Sequence, residues 1–446
     1  MLEKLKSILG EKNVITGEMI GADYCRDQYP GESFAPVAVA EASSVEEVAA
    51  VVKACFEEGM AVTVRGAGTG QAGGSVPVEG GVVLSLRNMN KILGYADGIL
   101  RVQPGVLLQD VKAEAERNGM YYPPDPGELT ATIGGNVATN AGGPCAVKYG
   151  KTRDYVESMV VVLSDGSVET VTGEELSAFV GCEGTLAVIC EISLKLVEKA
   201  GADAILLFPF MDAESAVTAA KAIIDGGFEP AVVEYMDTDI VEFSGKITGS
   251  PVFPVVMEGE RVAGTLMVTI EGSDDDDVME KMEAVAGLAE EGEIEPLDIL
   301  VGDTIPMKRD FWAAHAAFHT SMESGAKSAW EANVDLPLDA AAEMIEFAKE
   351  TAAANELTAY IHAHLASGGM HIHLASEKGR EDSRADAEAF FKAAYDKVAE
   401  LGGDVVGEYG VGYAKNAYIS EEFKAAQAAL KAKYDAKGIL NPGKIC

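Results

Sequence analysis

Apolar residues recur at two spacings along this chain. Between residues 45 and 56 they fall at Val45, Val48, Val51, Val52, Cys55 and Phe56, the rhythm of one buried helix face. Ser44-Val-Glu-Glu47 has the form of a capping box that opens this helix, and Gly59 closes it. A β-branched run at 61–64 follows and empties into Arg65-Gly-Ala-Gly-Thr-Gly-Gln-Ala-Gly-Gly-Ser75. Further strands are expected at 81–86, 99–102 and 158–163, the last turned by Asp165-Gly166, with an apolar β-rich run at 181–196. From about Gly201 the texture changes. Helices rich in Ala and Glu are expected at 213–225, 278–290, 339–355 and 384–401, with strands at 204–210, 265–270, 358–365 and 370–374. Strands separated by helices predict a second, α+β domain. The acidic run from Asp274 to Asp277 suits an exposed loop or a helix N-terminus.

Composition narrows the class. A chain of 446 residues has room for two or three packed domains, and 48% hydrophobic with 24% charged residues excludes disorder as the default. The net charge of −37, from 35 basic and 72 acidic residues, argues against nucleic acid and against anionic membranes as partners. The six cysteines (Cys25, Cys55, Cys145, Cys182, Cys190, Cys446) form no C-x-x-C pair. That disfavours iron–sulfur, zinc-ribbon and disulfide frameworks and suits a reducing cytoplasm. The N-terminus reads as a short amphipathic helix interrupted by Gly10, without a signal-peptide core, and no apolar stretch approaches membrane-spanning length. A cytoplasmic protein with no membrane span is therefore expected.

Glycine is the outlier, with 48 residues that cluster rather than scatter. Thr132-Ile-Gly-Gly-Asn-Val-Ala-Thr-Asn-Ala-Gly-Gly143 combines four glycines with Thr132, Asn136, Thr139 and Asn140. Without Cβ atoms, backbone N–H groups can approach a phosphate, and neighbouring hydroxyls and amides add donors. The first loop offers Arg65, Gly66, Ala67, Gly68, Thr69, Gly70, Gln71, Gly74 and Ser75 on the same logic. Neither is the G-x-G-x-x-G dinucleotide fingerprint nor a P-loop. Two such loops, with Pro123-Pro-Asp-Pro126 upstream of the second, favour a phosphate-bearing cofactor. The histidines form the second signal. His362-Ala-His364 and His371-Ile-His373 are two H-x-H strands joined by Leu-Ala-Ser-Gly-Gly-Met, and side chains at i and i+2 share a face. Pairing around Ser367-Gly-Gly369 brings His364 and His371 close together, a metal or catalytic site.

These residues carry a resemblance. The segments 65–74, 124–126, 133–143, Tyr149-Gly150, Gly181-Cys-Glu-Gly-Thr-Leu186 and Gly438-Ile-Leu-Asn-Pro-Gly-Lys444 resemble, in order and spacing, the vanillyl-alcohol-oxidase-type flavoproteins. Within them the chain is similar to the FAD-linked 2-hydroxyacid dehydrogenases, the group of D-lactate dehydrogenase, the glycolate oxidase FAD subunit and D-2-hydroxyglutarate dehydrogenase. The resemblance implies an α+β protein: a two-subdomain vanillyl-alcohol-oxidase/PCMH-type FAD-binding domain at 34–198, after a helical segment at 1–33. A substrate or cap domain with a central antiparallel sheet is implied at 199–420, and a C-terminal segment at 421–446 returns to the FAD domain. Carried over by position, the first loop and Thr132, Ile133, Gly135, Asn136, Thr139, Asn140, Ala141, Gly142 and Gly143 hold the pyrophosphate and ribityl chain. Pro124, Asp125, Tyr149, Glu183, Gly184, Ile189 and Asn441 complete the cofactor surroundings. With no histidine at 65–75, the FAD is expected to be non-covalent. The resemblance also makes His364, His371 and Glu408 the ligands of a divalent Zn, Mn or Fe ion that grips the substrate hydroxyl while hydride leaves for flavin N5.

Several positions depart from the family. Tyr409 stands where the general base is normally histidine, and a phenol needs nearby positive charge, such as the metal or Lys415, to act near neutral pH. Trp312-Ala-Ala-His315 lacks the arginine that often grips the substrate carboxylate. Glu331 stands where close relatives have a lysine before the next strand, and Ser367 and Gly369 replace the usual Asp and Asn. Three readings follow: a divergent 2-hydroxyacid dehydrogenase with Tyr409, His315 and His362 in rebuilt catalytic roles; a flavin dehydrogenase for another alcohol; and a non-catalytic FAD-binding electron-transfer subunit. With no iron–sulfur ligands in the chain, electrons must leave to another acceptor. The resemblance implies a quinone, a cytochrome, an electron-transfer flavoprotein or a partner iron–sulfur subunit, with oxygen a further alternative. The acidic composition favours a soluble protein such as an electron-transfer flavoprotein or iron–sulfur subunit.

Overall fold

Val45–Glu58 is a helix that buries Val48, Val51, Val52 and Cys55, and Gly59 closes it in the left-handed conformation. Its opening is half of a capping box. The Ser44 hydroxyl accepts from Glu47 N, but the Glu47 carboxylate turns to the amide and hydroxyl of Ser43 instead. The computed structural model describes residues 1–31 and 33–445; Cys446 lies outside the described residues. Contacts divide the chain into two compact units. One comprises Met1–Gly142, Gly150–Lys199 and the chain from Glu408 onward; the other comprises Gly143–Tyr149 and Ala200–Gly407.

The first unit holds two sheets. Val14–Thr16, Ala38–Glu41, Val82–Ser85 and Val62–Arg65 form a mixed four-stranded sheet in that order, parallel between the last three. The Val45–Glu58 helix packs its apolar face on this sheet with Leu5, Leu9, Val62, Leu84 and Leu440. The chain returns near its end: Val62 N donates to Ile439 O and Asn441 N to Val62 O, extending the sheet beside the first glycine loop. Ile92–Ala96, Ile99–Val102, Ala187–Lys195, Val156–Leu163 and Val168–Thr172 form an antiparallel five-stranded sheet.

One expectation needs correcting here. The second glycine segment is not a loop throughout, because Ile133–Thr139 is a short helix and only its two ends are irregular. Glycine is needed at 134 for packing, since a Cβ there would sit 2.5 Å from Pro104 Cβ. Asn140 stops the helix in the left-handed conformation, which asparagine tolerates.

In the second unit, seven antiparallel strands run in the order Leu300–Gly302, Ala202–Phe210, Gly264–Gly272, Val232–Asp237, Thr358–His364, Gly369–Ser376, Ser328–Asp335. Helices Ala213–Asp225, Asp275–Glu290, Ala341–Ala354 and Arg380–Glu400 pack against this sheet or one another. The acidic run caps a helix: the Asp274 side chain accepts from Asp277 N, and negative charge at that end is favourable. Glu331 does not precede a strand but lies inside Ser328–Asp335, directly opposite His373. No helix among the described residues is long and apolar enough to cross a membrane.

Candidate functional site

The strand Val62–Arg65 delivers a buried arginine to the mouth of the first glycine loop. Arg65 Nη1 donates to Arg26 O at 2.8 Å, and Asp27 accepts from the Ser75 amide and hydroxyl at 3.2 and 3.3 Å. These bonds clamp the two ends of the loop together. The loop lies hard against the start of the Ile133–Thr139 helix, because a Cβ on Gly66 would fall 2.1 Å from the Thr132 hydroxyl oxygen. Within this cradle two buried polar atoms, Arg65 Nε and Asn136 Oδ1, have no hydrogen-bond partner in the protein. Buried polar groups rarely stay unpaired. Paired glycine segments with orphaned polar atoms fit a polar ligand such as the pyrophosphate and ribityl chain of FAD.

Other carried-over positions serve the frame. The Asn441 amide donates to Gly74 O at 2.9 Å and Glu183 O at 2.7 Å, tying the first loop to the 183 turn. The Glu183 carboxylate accepts from the amides of Val411 and Gly412 at 2.6 and 2.8 Å, although burial raises its pKa. Asn140 Oδ1 accepts from Arg153 N, the Thr139 hydroxyl donates to Gly135 O, and Asp125 pairs with Lys112 while accepting from Gly127 N. Gly184 takes a left-handed turn, and Ile189 is buried in the Ala187–Lys195 strand. Thr69 and Gly70 lie in the irregular loop, where Gln28 N donates to Gly70 O. Gly143 and Tyr149 belong to the second unit, where the Tyr149 phenol donates to Glu271. Glu408 and Tyr409 belong to the first: Glu408 is buried, Gly142 leaves room for its Oε1, and Lys415 Nζ stands 6.0 Å from the Tyr409 ring centroid.

The histidines gather on one face of the seven-stranded sheet. In the register, Glu234 stands opposite His364, His362 opposite His371, and Glu331 opposite His373. All of these residues are buried or nearly so. Helix Ile305–Ala316 contributes His315 and helix Phe318–Gly325 contributes His319. Their Phe311, Ala314 and Phe318 pack with Met236, Met267 and Leu207, which share the Glu234 face of the sheet. Glu234 accepts from His364 Nδ1 at 2.5 Å and His315 Nε2 at 2.9 Å. Glu331 accepts from His371 Nδ1 at 2.9 Å through one oxygen, and its other oxygen lies 3.0 Å from His319 Nδ1. Burial alone would raise both carboxyls, but the surrounding histidines hold Glu234 low and Glu331 well below the usual carboxylate range. Burial and neighbouring histidines press His362 well below its ordinary value, and burial brings His373 down to about 4.

In their neutral forms, with Nδ1 of both His364 and His371 donating to carboxylates, both rings present Nε2 lone pairs, and these atoms lie 3.3 Å apart. Lone pairs at that distance repel unless a proton or a metal ion lies between them. Two tetrahedral metal–nitrogen bonds of about 2.05 Å set their nitrogens about 3.3 Å apart, so the pair is spaced as ligands of one ion. Carboxylates on the far nitrogen are the usual support of such ligands. The sequence marked all four hairpin histidines but missed Glu234, which comes from a non-adjacent strand, and missed the role of Glu331 as a histidine-orienting carboxylate.

Glycine cradle, mixed sheet and antiparallel sheet together define an FAD-binding fold of the PCMH type. The solved structure of p-cresol methylhydroxylase with substrate bound superposes with a TM-score of 0.82 at 19% identity, over 100% of this chain and 96% of that one. A model of the FAD binding domain matches residues 36–172, and a model of the C-terminal domain of FAD linked oxidases matches residues 200–445. The chain belongs to the FAD-linked oxidase family and is an FAD-linked oxidoreductase. It is 37% identical to D-lactate dehydrogenase of Anaerostipes hadrus, over 100% of this chain and 97% of that protein. It is 30% identical to the glycolate oxidase subunit GlcD of Bacillus subtilis, over 99% and 96%.

Proposed function

We propose that the protein oxidises a 2-hydroxy acid of the D-lactate or glycolate kind to the 2-oxo acid. The observation that carries this reading is the facing pair of His364 and His371 nitrogens, each oriented by a buried carboxylate. With Glu408 they would hold a Zn, Mn or Fe ion, a donor set that suits all three. Non-covalent FAD supplies the hydride acceptor, and the ion supplies Lewis-acid pull on the substrate hydroxyl. The chain's own residues do the rest. The 65–75 loop and the 132–143 segment orient the cofactor. Tyr409, with Lys415 nearby, takes the hydroxyl proton; His362, kept neutral by burial, and His315, bonded to Glu234, are the other acceptors. Electrons then pass to a partner protein, an electron-transfer flavoprotein or an iron–sulfur subunit, in keeping with the subunit naming of one relative.

A specific observation favours a second reading. His315 stands where the substrate-gripping arginine is expected and is engaged by Glu234, and Glu331 adds a second carboxylate to the same face. Such a site accepts a less acidic alcohol more readily than a carboxylate. Anaerobic bleaching of the visible flavin band with D-lactate, glycolate and D-2-hydroxyglutarate separates the readings. Bleaching by one of them supports the first; bleaching only by uncharged alcohols supports the second. Tight FAD with no bleaching by any substrate supports an electron-transfer subunit. Metal analysis of the same sample and of His371→Ala tests the ion, and equal near-zero content in both removes it.

A further inference from the structure

Beside the facing pair lies a second group of ligand atoms. One atom each from His319, Glu331 and His373 falls within 4.8 Å of the others. Glu331 Oε2 is 3.0 Å from His319 Nδ1 and 3.5 Å from His373 Nδ1. The first distance suits a hydrogen bond, but the second is too long for a good one. Both bracket the spacing of about 3.3 Å between ligands that share one tetrahedral ion. We propose that His319, Glu331 and His373 form a second divalent-cation site, joined to the His364–His371 pair through the Glu331 carboxylate.

The surroundings are wired for this role. A ligating histidine ordinarily donates its other ring N–H to a partner. His373 Nε2 lies 3.2 Å from His362 Nδ1, and His319 Nε2 lies 3.6 Å from Glu323 Oε1. The remaining oxygen of Glu331 is held by His371 Nδ1 at 2.9 Å. His373 and Glu331 therefore each have an outer partner at hydrogen-bond distance, and one atom from each of the three residues lies within 4.8 Å of the others. His319 comes from a different element than the two strand residues, so an ion there would pin helix Phe318–Gly325 to the sheet. Its side chain is 32% exposed, which gives the ion an entry route and leaves a coordination position for water. Two nitrogens and one carboxylate oxygen suit Zn²⁺, Mn²⁺ or Fe²⁺, as at the first pair, and Zn²⁺ serves as the probe.

The site does not depend on the substrate reading, and the experiment keeps the two apart. Purified holoenzyme is loaded with Zn²⁺, desalted in high salt to strip ions from the acidic surface, and measured for zinc per flavin. His319→Ala is expected to hold one equivalent less than the wild type, and His364→Ala to retain the equivalent that His319→Ala loses. Equal zinc in wild type and His319→Ala overturns the proposal, as does complete loss in His364→Ala. If His319→Ala does not accumulate as folded holoenzyme, His319→Gln takes its place with the same expected loss. A loss in His319→Ala with none in His364→Ala would leave the second site standing and remove the first.

Discussion

The carboxylate beneath His364 gives the sharpest handle on the proposed chemistry. Glu234 is fully buried and accepts from two imidazoles at once, His364 Nδ1 at 2.5 Å and His315 Nε2 at 2.9 Å. Glu234→Gln keeps the shape but turns one oxygen into an N–H₂ group, so one of the two ring N–H groups meets a donor. The imidazole that loses its acceptor can flip tautomer. If that is His364, its Nε2 gains a proton and points an N–H at His371 Nε2, 3.3 Å away, in place of a lone pair. Loss of such a supporting carboxylate weakens metal binding about 10- to 100-fold, which corresponds to about 1.4–2.7 kcal/mol. A chelator-competition titration with Zn²⁺, run on wild type and Glu234→Gln at equal flavin content, reads this directly. An affinity unchanged within about twofold, with the fold intact by circular dichroism, would refute the argument that Glu234 orients a ligand. Turnover should fall in step with the ion's occupancy, and restoring the ion at high Zn²⁺ should recover most of it.

Other expectations follow from single groups. Tyr409→Phe should lower turnover about 10²- to 10⁴-fold if the phenol takes the proton, with flavin content unchanged; full turnover removes it as base. Gly134→Ala forces a methyl to within 2.5 Å of Pro104, and overpacking of this kind costs about 1–3 kcal/mol, read as a lower denaturation midpoint and weaker FAD retention. Lys444 is buried, and burial pushes its pKa down to about 7 despite Asp27 and Glu183 nearby. Its folded value therefore lies below its unfolded one. Between about pH 7 and pH 10 the unfolded chain keeps a proton that the fold has released, so this residue makes stability rise with pH, by up to about 1.4 kcal/mol per unit. In FAD-free protein, the stability gap between wild type and Lys444→Met should widen in favour of the wild type across that window; parallel pH profiles would contradict it.

Much of the scaffold was legible because its physics is local. The helix at Ala213–Asp225 forms at the bounds its apolar rhythm predicts, and the strands at Thr358–His364 and Gly369–Ser376 follow from the alternation that also marked the histidines. Where a local rule met a tertiary demand, the reading slipped. Ile133–Thr139 is helical despite Gly134 and Gly135, and the glycine at 134 answers to close packing on Pro104, which excludes a side chain there. The strand Val232–Asp237 is buried at every position, so it shows no alternation, and Glu234 within an apolar stretch gave no sign of what it would meet.

What the sequence determined by itself is the set of chemical parts: two glycine-rich segments and two H-x-H strands around a tight turn. Residue type and spacing suffice for these because neighbours along a strand or loop share one frame. Only the tertiary structure decided how the histidines are used. Sheet order brings Glu234 and Glu331 to opposite sides of the hairpin, and two covering helices add His315 and His319. Those contacts join residues 12 to 130 positions apart. The pattern along one strand cannot reveal the hydrogen bonds that make a nitrogen a donor or leave it a lone pair.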